Sequence, residues 1–235
     1  PNSYNQWINS GSGTWQESNK WSLGTSPTLT DTGDAIANAN SKTVTINAST
    51  ATNNLTIPNL LLAGYNGNTN TLLITYPGSN TPLRVNGLCQ VRDGGALVVS
   101  NSALHISQPV FPREGLLLDG SAVFRDSTVV MTNCDFLVGT TNGANGDVTI
   151  SNSSILAQGM TIGSAKSATG TLHMASGLLK FRDALSGAHF YVGGADTRTN
   201  AYGEFWMDGG TVDALFGNSV LIGGAGGGFM TMSNG

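Results

Sequence analysis

A ten-residue phrase recurs down this chain, and its spacing constrains the fold more than any other feature. It reads Gly95-Ala-Leu-Val-Val-Ser-Asn-Ser-Ala-Leu104, Gly146-Asp-Val-Thr-Ile-Ser-Asn-Ser-Ser-Ile155 and Gly203-Glu-Phe-Trp-Met-Asp-Gly-Gly-Thr-Val212, with further copies from Gly120, Gly170 and Gly228 and an earlier one from Asn70. Successive starts lie 25, 25, 26, 24, 33 and 25 residues apart. A period in this range means one supersecondary unit stacked on copies of itself, because a single unit cannot bury its own apolar face.

Within each phrase the residues two and four places after the start are apolar: Leu97 and Val99, Val148 and Ile150, Phe205 and Met207. Strand side chains alternate between faces, so these pairs point into one core. Turn formers follow, such as Asn101, Asp126 and Asn152, which tolerate positive φ. A second alternating strand comes next (Leu104 and Ile106, Ile155 and Ala157), then a third short strand ending in glycine, as in Met160-Thr-Ile-Gly163 and Phe190-Tyr-Val-Gly193. Three strands per coil predict a triangular cross-section and an all-β fold, a right-handed parallel β-helix of about seven to eight coils over residues 41–235. No long stretch has helical periodicity, and 32 glycines among 235 residues suit many short strands and turns.

Residues 1–40 read differently. Trp7, Trp15 and Trp21 crowd into an irregular segment ahead of the first clear coil. The open edge of a first coil needs covering, so this segment is expected to be a cap; the competing reading is a sugar-stacking platform. The chain stops at Ser233-Asn234-Gly235, in the first turn of a coil. Phe229, Met230 and Met232 therefore belong to a layer with none above it. Together with Trp7, Trp15 and Trp21 they are the candidate self-association residues, in a head-to-tail contact that would run on into an open filament. A continuation into further repeats of a longer chain is the equal alternative.

Composition narrows the function classes. The formal net charge is −4 with 10% charged residues, and no basic cluster suggests nucleic acid. No apolar run is long enough to span a membrane as a helix. The chain starts at Pro1 and its first methionine is Met131, which with the Ser, Thr, Asn and Gly-rich surface predicts a secreted, extracellular or cell-surface protein. Cys89 and Cys134, 45 residues apart, fall nearly two coils from each other and are expected as unpaired buried thiols.

Candidate chemistry is sparse, and no catalytic, cofactor or metal residues are predicted. Asp147 and Glu204 share an outward column two rungs apart, about 9–10 Å by strand spacing, at the upper end for an inverting carboxylate pair and without a third partner. Lys180 and Asp213 are expected as a surface ion pair. His105, His173 and His189 fall on different coils, and the glycine run from Gly223 to Gly228 lacks the Lys and the helix of a phosphate loop. Asn101, Asp126 and Asn152 are expected to stack as a structural polar ladder. Two outward apolar stripes, Leu73, Val98 and Val123, and His105, Val130 and Leu156, call for a cover by the leader, a loop or another subunit.

The opening Trp7…Gly-Ser-Gly-Thr-Trp15…Asn-Lys-Trp21-Ser, the following Thr43-Val-Thr-Ile-Asn47 and Asn54-Leu-Thr-Ile57, the phrase units and the Ile222-Gly223-Gly224 end resemble secreted bacterial autotransporter-passenger-like β-solenoids of the autotransporter-associated β-strand repeat type. The resemblance covers most of the chain and implies surface display, adhesion or matrix building. The expected function is a non-enzymatic extracellular structural protein, a fibre or matrix subunit or the passenger part of an adhesin, with surface glycans as possible partners. The alternative is a carbohydrate-active β-helix that binds or cleaves polysaccharide.

Overall fold

A computed structural model describes residues 4–50, 55–77, 81–108, 114–182, 189–194, 200–214, 219–224 and 226–233. The described strands form three parallel sheets of nine, nine and seven strands, and from Gly33–Ile36 onward consecutive strands of the chain go to the three sheets in rotation. This is a β-solenoid with three strands per coil. Its one helical element among the described residues is a 3-10 turn, Ser18–Lys20.

Sheet one carries the repeated phrase. Its strands include Lys42–Asn47, Asn70–Thr75, Gly95–Ser100, Ser121–Arg125, Asn145–Ser151, Thr169–Met174, Tyr202–Met207 and Gly227–Met232. The register follows the phrase: Leu72, Leu97, Ala122, Val148, Leu172, Phe205 and Met230 are in line from layer to layer. Sheet two holds the strands after the turn, from Leu55–Ile57 to Thr211–Ala214, and sheet three the short strands that close each coil, from Tyr4–Gln6 to Ser219–Ile222.

The alternation of the sequence becomes the alternation of burial. Ile74, Val99, Phe124, Ile150 and Met174 are fully or almost fully excluded from solvent, as are Ile106 and Ile155 in sheet two and Phe136 and Ile162 in sheet three. Aromatic rings stack along the same core: Phe181 lies on Phe190 at 5.3 Å, and Phe190 meets Phe205 edge-on at 5.3 Å. Such pairs add specificity to the area they bury.

Two glycines explain why the coil can close so tightly. The corner between sheets three and one brings Gly163 against Gly170, where a Cβ on Gly170 would lie 2.4 Å from the Gly163 nitrogen. Gly163 itself has φ +74° and faces the Tyr202 carbonyl at 2.4 Å from a would-be Cβ. Only glycine fits both the left-handed backbone and the close approach. The opposite corner uses side chains: Asn101, Asp126 and Asn152 all have positive φ, and Asn152 Nδ2 donates to Asp126 Oδ1 at 2.7 Å. Beneath them Ser127 Oγ donates to the Val99 carbonyl at 2.9 Å, and Ser153 Oγ accepts from the Ser127 amide at 3.0 Å.

The leader is woven into the stack rather than set apart from it. Tyr4–Gln6 pairs with Gly33–Ile36 in sheet three, and Gly13–Thr14 pairs with Lys42–Asn47 in sheet one, so parallel pairing begins well before residue 41. Because these strands extend the ends of two sheets, the leader does not lie over the outward stripes. Leu73, Val98 and Val123, and Val130 and Leu156, remain half-buried on the outer faces.

Candidate functional site

The outer face of sheet one gathers the most functional groups where its strands approach the last described layer. On Tyr202–Met207 the outward side chains are Tyr202, Glu204 and Trp206, since Gly203, Phe205 and Met207 face the core. Phe229 stands beside Glu204 on the next rung, Thr171 beside it on the rung before, and Asp147 one rung further. Tyr202, Trp206 and Phe229 are 40%, 37% and 42% exposed, a notable aromatic content for one open face. The Trp206 and Phe229 rings lie 5.0 Å apart.

Hydrogen bonds fix Glu204 and Asp208 on this face. Trp206 Nε1 donates to Glu204 Oε2 at 3.2 Å, and the Glu204 carboxylate raises the Tyr202 phenol above its usual value. His173 Nε2 and Asp208 Oδ2 are 2.6 Å apart, and this bond holds the Asp208 carboxyl below the usual carboxylate range. Asp147 and Glu204 do share an outward column, but the Thr171 rung separates them and Glu204 is engaged by Trp206. The face offers ring surface and fixed acceptors.

A second feature is a groove of about 400 Å³ on the outer side of sheet three. Its floor includes Leu117 and Leu137, and Arg92, Glu114 and Lys166 line it. Asp119 anchors one wall: its carboxylate accepts the Thr141 amide at 3.1 Å and the Thr140 and Thr141 hydroxyls at 2.8 and 2.6 Å. That makes Asp119 a loop-holding group rather than a free acid.

The other residues singled out in the sequence are dispersed. His105 lies on sheet two between Arg84 and Thr132, and burial together with the Arg84 charge lowers its pKa. His189 on sheet three stacks on Tyr191 at 4.6 Å. Lys180 and Asp213 form the expected ion pair at 2.5 Å. Cys89 and Cys134 are free and buried, and burial pushes both thiols up to about 12. Among the described residues no group of three or more His, Cys, Asp or Glu side chains could hold a metal ion. No described helix is long and apolar enough to cross a membrane.

The six candidate self-association residues divide between inside and outside. Trp7, Trp15 and Trp21 are buried, packed edge-on at 5.2 and 5.0 Å around Trp21, whose Nε1 donates to the Trp15 carbonyl at 2.9 Å. They plug the N-terminal end of the core, so any contact made there is made by the residues around them. Phe229 and Met232 are exposed, and Met230 is partly buried against the core. Asn234 and Gly235, part of the expected terminal turn, lie outside the described residues. Sequence reasoning missed the aromatic grouping of Tyr202, Trp206 and Phe229. The outward positions were legible, but Trp206 and Phe229 sit in different columns and on different rungs.

No protein-family model, curated protein or solved structure matches this chain.

Proposed function

We propose that this chain is a non-enzymatic structural solenoid of the extracellular surface, a rigid rod or fibre element whose coil stack is continued by a further layer of the same kind. That layer is another copy, stacked head-to-tail. The observation that carries the reading is the last described layer, where the inward-column residues Val220, Ile222 and Met232 are 55%, 45% and 53% exposed. Val220 and Ile222 are in register with the buried Phe190 and Val192 of the layer before, so another coil on top would bury the same kind of surface. The repeat grammar resembles surface-displayed passenger solenoids, which fits a secreted location, and the dispersal of the acids fits a scaffold better than a hydrolase.

Electron microscopy with multi-angle light scattering tests it. Concentration-dependent elongation, suppressed by Met232→Asp, is expected for stacking copies. A strictly monodisperse monomer at high concentration removes the copy-stacking form.

The aromatic face favours a second reading, a glycan-binding surface. Saccharides lay their C–H faces on aromatic rings and donate hydroxyls to carboxylates, and Tyr202, Trp206 and Phe229 around Glu204 offer both. Oligosaccharide titration by calorimetry would show binding reduced at least about tenfold by Trp206→Ala; no binding to any neutral or amino-sugar series would dismiss it.

A further inference from the structure

The outer face of sheet one changes character along the rod. Its middle column holds Val98 and Val123 in the earlier strands and Thr149, His173 and Trp206 in the later ones. The strands Asn145–Ser151, Thr169–Met174, Tyr202–Met207 and Gly227–Met232 contain no lysine or arginine. Their one basic side chain, His173, is tied to Asp208. Arg125 stands opposite Ser151 at the corner, away from the Asp147 column. Asp147 is exposed, and among the described residues its carboxylate makes no hydrogen bond or ion pair. Glu204 accepts from Trp206 Nε1 and from the Tyr202 phenol, which fill two of the roughly four acceptor positions of a carboxylate.

Open aromatic rings beside uncompensated carboxylates favour a cationic partner. The ring faces attract it through their quadrupole and the acids through their charge. A neutral sugar would use the rings and leave both carboxylates without a counter-charge, and an acidic sugar would be repelled. A basic peptide brings cations, but Thr169–Met174 and Tyr202–Met207 are paired on both sides, so its backbone would find no free strand edge here. A saccharide needs only side chains: rings for its C–H faces, and threonines and carboxylates for its hydroxyls and amines. Resting on the glycan-surface reading above, we propose that this face binds a polysaccharide with free amines, a 2-amino-sugar polymer. Its ammonium groups meet Asp147 and Glu204, and its sugar rings lie on Trp206 and Phe229.

The register sets the direction of the ligand. Asp147, Thr171, Glu204 and Phe229 follow one another in a single column. The two acids are two rungs apart, about 9–10 Å by strand spacing, so one amine does not reach both. The polymer therefore runs along the rod axis and places different amines on the two carboxylates, with the Thr171 hydroxyl between them. Binding through separate amines of one chain makes an oligomer far tighter than the single sugar. Ammonium–carboxylate bonds are charge-assisted, and on an open face they weaken as salt is added.

The test is calorimetric titration of the whole chain at low salt and mildly acidic pH with length-matched oligomers of glucosamine, N-acetylglucosamine and glucose. The free-amine oligomer is expected to bind at least about tenfold tighter than the N-acetylated one, with the difference shrinking as salt is added. Asp147→Asn, an exposed and isosteric change, should remove most of that preference and leave binding of the N-acetylated oligomer unchanged. Glu114→Gln on sheet three removes the same charge elsewhere and should leave the preference intact. Equal affinity for all three oligomers overturns this inference while the glycan surface stands; binding of none removes both. Oligolysine of matched charge binding as tightly as the amino sugar, or an equal loss in Glu114→Gln, also overturns it, because either means a general attraction of polycations to an acidic chain.

Discussion

At the scale of single residues, direction decides fate. Ile150 faces the core and is fully buried, whereas Thr149 beside it is half-exposed on the outer face. Ile150→Asp places an unpaired charge among apolar neighbours with no donor to meet it. We expect a loss of more than about 4 kcal/mol, enough to unfold or aggregate the chain, while Thr149→Asp should change stability by less than about 1 kcal/mol. Chemical denaturation of the two variants side by side measures the contrast. The buried polar residues that do occur are those whose bonds are met inside. Lys42 shows this: its ammonium is held by Asn38, the Asn40 carbonyl and Asn70 Oδ1, and burial lowers its pKa. Asp34 departs from that rule, and so do Ser102 Oγ, Gln158 Oε1 and Trp15 Nε1, but Asp34 does so as an acid.

At the scale of elements, the coil is three short strands and the corners that join them. No strand of three to seven residues is stable alone, so each depends on the parallel ladder above and below it. The corners set the length of the coil. Gly170 and Gly163 approach too closely for any side chain, and Gly170→Ala must push apart backbone atoms of two strands. We expect it to cost roughly 1–3 kcal/mol, read as a shift in the denaturation midpoint. Gly143, with φ +75° in the exposed loop and open space around its would-be Cβ, should lose only what its backbone strain costs, about 1 kcal/mol. The different penalties distinguish a glycine required by packing from one required by φ alone.

At the scale of the whole molecule, contacts run along the axis, and each layer chiefly sees its neighbours. Stability in such a stack is a sum of layers and interfaces, so an end that is poorly covered frays first. The tryptophan plug covers the N-terminal end. Trp21 touches both other rings, and Trp21→Ala removes the middle of the cluster. A loss of about 3–5 kcal/mol is expected, with hydrogen exchange accelerating first in the strands Gly33–Ile36 and Lys42–Asn47 and later, or not at all, in mid-stack strands such as Asn145–Ser151. Uniform acceleration along the rod would mean that the plug supports the whole molecule and not its end.

Much of this architecture was legible in the residues alone. The period, the alternation and the turn residues specify which side chains face inward and which rungs align, because a strand offers only two faces and a parallel ladder only one useful register. That is why the pairing of Val148 with Leu172, the ion pair of Lys180 with Asp213 and the two free thiols could be expected before any coordinates. Tertiary structure alone decided matters that depend on distance between separate loops and layers. It turned the three tryptophans inward, drew Tyr4–Gln6 and Gly13–Thr14 into two of the sheets, and set Tyr202, Trp206 and Phe229 around one carboxylate. It also buried Asp34 beneath a loop that carries Asp31. The physical reason is the same in each case: periodicity fixes a residue's face, but exposure and partners depend on what packs over that face, and here the cover comes from irregular segments that carry no period.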